Sequence, residues 1–242
     1  MPVCRLLPMS DRSGSANMAA DESLLRSALD RGVASLRFYT WSEPTLSLGY
    51  FQAHTERRND RLLVDVAWVR RPTGGAAILH HHEITYGLAL PAGPPWHTAE
   101  SWLCRFHHAV AAALNGFESR PVACGEERTL GPFLCFLHQT PGDLLLSGHK
   151  VVGSAQRRPH GATMQHGSLL LRQSPHAPAL PGIAELSGVT IPGPELAAAI
   201  VAELGRQTGW EFEPDEWADA ERQTAAELEQ NKYATAGWNE KR

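Results

Sequence analysis

The chain has 242 residues, 43% hydrophobic and 20% charged, enough to bury a sizeable core, which excludes disorder as its main state. Lys and Arg number 22 against 26 Asp and Glu, a net charge of −4, so no chain-wide basic field exists to hold nucleic acid or an anionic membrane nonspecifically. There is no membrane-length apolar run, the first residues lack a signal-peptide core, and Cys4, Cys104, Cys124 and Cys135 form no CxxC pair, so a cytoplasmic protein with free thiols is expected.

Residues 17–31 place Met18, Leu24, Leu25, Ala28 and Leu29 at helical spacing among charged residues, which predicts an amphipathic first helix capped by Asn17. Residues 36–41 and 45–50 are rich in strand formers, and Ser42-Glu43-Pro44 between them predicts a strand pair. Two more strands are expected at 64–70 and 76–90, joined by Arg70-Arg71-Pro72-Thr73-Gly74-Gly75, whose glycines let backbone approach a ligand closely. From Thr98 to Phe117, apolar residues recur every three or four positions and predict a helix. Strands follow at 132–137, 143–147, 149–155 and 163–171, with Ser147-Gly148-His149 as the hairpin signal. The end reads as helices over 194–208 and 215–232, the latter a polar surface helix, with Trp210-Glu211-Phe212 extended between them. Grouped rather than alternating elements predict an α+β fold, and without repeats or linkers one domain over 1–242, helical from 194 to 242, is expected.

Three separated segments carry a family resemblance. They are Asn17 to Glu22 followed by Ser47 to Gln52; Arg70 to Gly75 with His80 to Tyr86; and Gly148 to Arg158 with Gln165-His166-Gly167-Ser168. Together they resemble the catalytic domain of lipoate-protein ligases and octanoyltransferases, and the tail from Asn231 to Asn239 is similar to ends in that family. The resemblance implies a biotin/lipoate ligase-like domain whose mixed, mostly antiparallel sheet is flanked by helices. Cys135-Phe136, Asp143-Leu144 and Gly148-His149-Lys150 look most like the octanoyltransferases that use a cysteine upstream of the lysine strand. The implied reaction moves octanoyl from an acyl carrier protein thioester to a lysine of a lipoyl-accepting protein, such as the glycine cleavage H protein or an E2 domain of a 2-oxoacid dehydrogenase. It needs a nucleophile and no cofactor. The alternatives are an ATP- and magnesium-dependent lipoate-protein ligase, in which Cys135 is structural, and a noncatalytic lipoyl-domain binder.

Cys135 lies in the apolar run Phe133 to Leu137, read as a strand with Lys150 across a strand pair. A neighbouring ammonium lowers a thiol pKa from ~8.5 toward neutrality, so Lys150 is the expected activating partner and proton carrier. An ordinary buried thiol is the bland reading of any cysteine. Cys4 reads as a flexible terminal thiol, and neither Cys104 nor Cys124 has a matching lysine. Arg71, Thr73, Gly74 and Gly75 form a loop whose amides can hold an acyl carbonyl or, in a ligase, an adenylate phosphate; no GxxxxGK[ST] loop is present. Gly153, Ser154 and Ala155 leave space for an eight-carbon tail, while His80, His166 and Gly167 match family positions near the substrate. His81 and Ala76 depart from the family pattern.

His80 and His82 are expected on one strand face, yet no third ligand completes a metal set, so no metal is expected. Lys150 with Arg157 and Arg158 reads as a basic patch that steers an acidic carrier or lipoyl domain.

Overall fold

The computed structural model describes residues 1–97, 100–131 and 133–242. Strands β1 (Val3–Leu6) and β2 (Ser10–Arg12) lead into helix α1 (Gly14–Arg31), where Ser13 accepts the Ala16 amide hydrogen as cap. Asn17, the expected cap, lies a turn inside α1. It is fully buried and donates from Nδ2 to the Arg12 and Thr40 carbonyls. The first turn, Gly-Ser-Ala, carries no large apolar residue, so hydrophobic periodicity starts later than the helix does.

Next come β3 (Ser35–Trp41), β4 (Thr45–Leu48), β5 (Ala67–Arg70), β6 (Ile78–His80) and β7 (Glu83–Leu90). They contradict two expectations. The segments at 36–41 and 45–50 are not paired, because β3 joins the large sheet while β4 is the middle of a separate three-stranded sheet, β5-β4-β6. The single strand expected over 76–90 is two, with a turn at His81-His82 that carries the chain from the small sheet to the large one. Strand propensity reports an extended backbone and is silent about the partner.

Helix α2 (Trp102–Gly116) begins after Thr98 and Ala99, which lie outside the described residues. Short strands β8 (Val122–Ala123), β9 (Arg128–Thr129) and β10 (His138–Gln139) precede the hairpin of β11 (Leu144–Leu146) and β12 (His149–Arg157). The hairpin turn is the expected one: Ser147 and Gly148 both have positive φ, 49° and 80°, the two-residue turn whose twist suits a strand pair. Strand β13 (Thr163–Leu170), helices α3 (Ile183–Ser187) and α4 (Gly193–Thr208), strand β14 (Glu211–Pro214) and helices α5 (Asp219–Leu228) and α6 (Ala236–Asn239) complete the chain.

Among the described residues the large sheet runs β14-β1-β3-β7-β13-β12-β11-β8, with β2 beside β3. It is parallel at the β14 end and antiparallel from β3 onward, as the mixed, mostly antiparallel expectation has it. One face is apolar: Leu36, Phe38, Ile84, Tyr86, Leu88, Val152 and Leu169 pack with Phe106, Val110 and Leu114 of α2 and with Leu196 and Ile200 of α4. Each such side chain contributes roughly 1.5–3 kcal/mol by leaving water. The other face carries Arg37, Tyr39, Glu83, Thr85, His166 and Ser168, which are polar and buried, and there the functional groups gather.

The last long helix is more than a surface helix. Glu221 of α5 is buried, with Arg5 Nη2 at 2.6 Å and the Ser27 hydroxyl at 2.6 Å. Cys4 is also no flexible thiol: it is fully buried in β1, and burial raises its pKa far above the ordinary value. No helix among the described residues is long and apolar enough to cross a membrane.

Candidate active site

Cys135 opens a single 3-10 turn, Cys135–Leu137, instead of lying in the expected strand over 132–137, of which Pro132 is outside the described residues. Among the described residues of that segment only Leu134 makes a bridge, to Ala77, and the Cys135 amide donates to the Ala77 carbonyl at 2.6 Å. Apolar side chains at Phe133, Leu134 and Phe136 anchor the segment against the small sheet, and a turn satisfies the same burial pattern as a short strand. Lys150 is therefore not across a strand pair, yet it is adjacent: its Nζ lies 3.8 Å from Cys135 Sγ.

The ammonium is fully engaged. Besides Cys135 it meets Asp143 Oδ2 at 2.7 Å and the His138 carbonyl at 3.0 Å, three acceptors for three protons. Asp143 Oδ2 is itself aimed by the Thr140 amide at 2.8 Å and the Thr140 hydroxyl at 3.0 Å. With Lys150 only 5% exposed, no basic patch with Arg157 and Arg158 exists; those two stand apart on the surface. A β-bulge sets this arrangement. Leu145 pairs with Lys150 but Leu144 pairs with Val152, so the intervening residue Val151 is extra, and Lys150 is turned to the side that Gly153 faces. The space at Gly153, expected to take an acyl tail, is filled by Lys150: a Cβ there would overlap Lys150 Cε.

Cys135 and Lys150 open into a cavity of about 350 Å³, a size that holds a small ligand. Arg71, Gly74, Gly75, His80, Ala155, His166 and Gly167 all border it, and Met18, Trp41, Ile78 and Phe136 supply apolar wall. Thr73 does not border it; its hydroxyl is bonded to His166 Nε2 at 2.7 Å behind the loop. Ser154 borders it too, but its hydroxyl faces away, bonded to Tyr86 and to His107.

Arg71 shapes the loop more than it offers itself. Its guanidinium donates to the carbonyls of Ser47, Gly74 and Ala76, and its Nε is buried without a partner. Burial pushes its pKa down to about 10, with the electrostatic influence of the nearby Cys135 opposing the shift, so it is still a cation at neutral pH. His80 is stacked on Trp41 at 3.8 Å and lies between Glu83 Oε1 at 2.6 Å and the Ser47 hydroxyl at 2.7 Å. Burial lowers its pKa despite the opposing pull of Glu83. His82 does not share its strand face: it sits in the turn beside Arg172, stacked on His81 at 3.6 Å.

A buried network stands behind the cavity. Asp21 accepts from Arg37 Nε at 2.9 Å and Tyr39 Oη at 3.0 Å and faces His166 Nδ1 at 3.1 Å. Burial acts to raise the Asp21 carboxyl, and Arg37, His166 and Tyr39 together hold it below the ordinary range. Asp143 and Asp21 fall within the family motifs but carry no site role on sequence grounds, and neither do Arg37, Thr140, His138 and His107. For Asp143 a signal exists, since counting back from the Ser147-Gly148 turn puts it on the arm facing Lys150. For the others no sequence spacing announces the contact.

Comparison with known proteins identifies the family. The sequence model of the lipoyl protein ligase A/B catalytic domain matches residues 13–207. The chain is 32% identical over 273 residues to the octanoyltransferase LipM of Kyrpidia tusciae, covering 99% of both, and 38% identical over 181 residues to that of Carboxydothermus hydrogenoformans, covering 71% of this chain and 66% of the relative. In fold it is similar to lipoate-protein ligase A bound with ATP, with a TM-score of 0.77 at 20% identity, covering 99% of each chain. It is also similar to a bipartite lipoate protein ligase from Thermoplasma acidophilum, with a TM-score of 0.74 at 19% identity, covering 99% of this chain and 96% of the other. The chain belongs to the lipoyl protein ligase A/B catalytic domain family and is an acyltransferase.

Proposed function

We propose that the chain moves an octanoyl group from an acyl carrier protein thioester to a lysine of a lipoyl-accepting protein, through a thioester on Cys135. The observation that carries this reading is the 3.8 Å approach of Lys150 Nζ to Cys135 Sγ at the wall of a largely apolar cavity. An ammonium at that distance stabilises negative charge on sulfur. The relatives named octanoyltransferase support the acyl group, and the Thermoplasma ligase described with its E2 lipoyl domain supports a lipoyl domain as acceptor.

The steps balance without a cofactor, so neither ATP nor magnesium is required. Cys135 thiolate attacks the donor carbonyl carbon, a new C–S bond forms, the old C–S bond breaks, and the carrier thiolate takes a proton from Lys150. The neutral acceptor amine then attacks the same carbon. As the C–N bond forms, the bond to Cys135 breaks, the surplus amine proton passes to Lys150, and thiolate and ammonium are restored. The site is set for work in the cytoplasm, where thiols stay reduced.

The test is intact mass after mixing with octanoyl carrier protein in the absence of ATP. One octanoyl mass is gained, lost on hydroxylamine treatment, and Cys135→Ser abolishes both the adduct and transfer. Native transfer by Cys135→Ser, or a strict need for ATP and magnesium, overturns the reading in favour of a ligase.

A further inference from the structure

On the opposite side of the sheet from the cavity, His107 of α2 is 1% exposed and touches both segments that flank Lys150. Its Nδ1 lies 2.6 Å from the Gly142 carbonyl and its Nε2 lies 2.7 Å from the Ser154 hydroxyl. Gly142 immediately precedes Asp143, the partner of the ammonium, and Ser154 immediately follows Gly153, whose missing side chain makes room for it.

The proton positions in this bridge follow from its partners. A carbonyl only accepts, so Nδ1 carries a hydrogen. Burial holds the imidazole pKa below its ordinary value, leaving Nε2 bare to accept from Ser154. The one Ser154 proton is then committed, so Tyr86 Oη donates to Ser154 Oγ at 2.6 Å and Gln165 Nε2 donates to Tyr86 Oη at 2.5 Å. Every link has one direction, and each leaves its donor held in place.

We propose that His107 is a positioning residue: through the Gly142 carbonyl and Ser154 it holds the Thr140–Asp143 turn and strand β12 in the register that aims Asp143, and with it Lys150, at Cys135. The inference rests on the reading that Cys135 and Lys150 react. The carboxylate is oriented by Thr140 from within the same turn, so a shift of the turn moves the carboxylate and the ammonium together. The backbone holds the turn from the other side: the Gly142 amide donates to the Cys124 carbonyl, the Cys124 amide to the Asp143 carbonyl at 2.7 Å, and the Asp143 amide to the Thr140 carbonyl, so His107 adds the tie from the α2 side.

Two variants separate positioning from space filling. His107→Phe keeps the ring and removes both polar contacts; His107→Asn packs worse but keeps an amide donor near the position of Nδ1. Three quantities are read on each: melting temperature, kcat and KM for octanoyl transfer, and the rate at which iodoacetamide modifies Cys135 at pH 7, followed on the Cys135 peptide. His107→Phe loses about tenfold to a hundredfold in kcat, the scale of a small misplacement of reacting groups, with KM little changed and slower alkylation. His107→Asn recovers most of both rates despite a lower melting temperature. Native kcat and alkylation in His107→Phe overturn the proposal, and so do losses that follow melting temperature alone, with His107→Asn the worse of the two. The alkylation rate needs no octanoyl donor, so failure of the transferase reading shows as a missing Cys135 adduct in the unmodified protein, a different result from failure of this one.

Discussion

The side chain of Lys150 lies across the face of Gly153, three residues further along the same strand, in the space where a Cβ of residue 153 would stand. A regular strand turns residues three apart to opposite faces; the bulge between them turns these two to the same one. Gly153→Val, which from sequence alone would narrow an acyl tunnel, is instead expected to dislodge the lysine. Transfer from four-, eight- and twelve-carbon carrier thioesters falls together, by at least about tenfold, and the protein loses about 1–3 kcal/mol from overpacking. Rates for the three donors and a denaturant titration check it; a changed chain-length preference at a native overall rate contradicts it.

Lys150→Arg should preserve the charge and lose most transfer. The ammonium offers three separate protons to Asp143, the His138 carbonyl and Cys135, a set that a planar guanidinium cannot reproduce, and a guanidinium does not give up a proton at physiological pH. The expected outcome is a melting temperature within a few degrees of the parent with octanoyl transfer down by about a hundredfold, the scale attributed to one acid–base group. Near-native turnover in a folded Lys150→Arg protein contradicts the assignment.

Chain-length preference should be governed by the apolar wall beyond the lysine. Met18, Trp41, Ile78 and Phe136 border the cavity together with the small Ala155. Each buried methylene is worth ~0.8 kcal/mol, so butanoyl, four methylenes shorter than octanoyl, forfeits up to about 3 kcal/mol of binding. Ala155→Leu is expected to shift the preference toward shorter donors while Cys135 alkylation stays native. A flat profile for four, eight and twelve carbons in both proteins places the acyl chain elsewhere.

Asp21 should link stability to pH. Its carboxyl is held below the ordinary carboxylate range when folded, by Arg37, His166 and Tyr39 acting against burial. Its contribution is therefore full above the unfolded value of about 4 and is lost as pH falls from there through the folded value. Asp21→Asn leaves the buried Arg37 guanidinium without the counter-charge that now lies 2.9 Å away, a cost of about 3–5 kcal/mol at neutral pH. Denaturant titrations of both proteins between pH 2 and 7 are expected to show the gap closing toward the acid end; a gap constant across that range contradicts the linkage.

Much was legible in the chain itself, because local chemistry is written locally. The apolar spacing of α2 and α4, the Ser147-Gly148 hairpin and the glycine-bearing loop after Arg71 follow from helical periodicity, turn preference and backbone freedom. The motifs around Cys135 and Lys150 marked the residues that meet in the cavity. Local pattern could not say that β3 and β4 belong to different sheets, since an extended segment does not name its partner. Nor could it say that Cys135 sits on a turn, since a turn and a short strand bury the same apolar run. The bulge at Val151 and the reach of Asp143 to Lys150, like the meeting of Asp21 and Arg37 with His166 behind the cavity, were decided only when the sheet closed. Those contacts join residues remote along the chain or depend on register, and a one-residue slip of register turns a side chain to the opposite face.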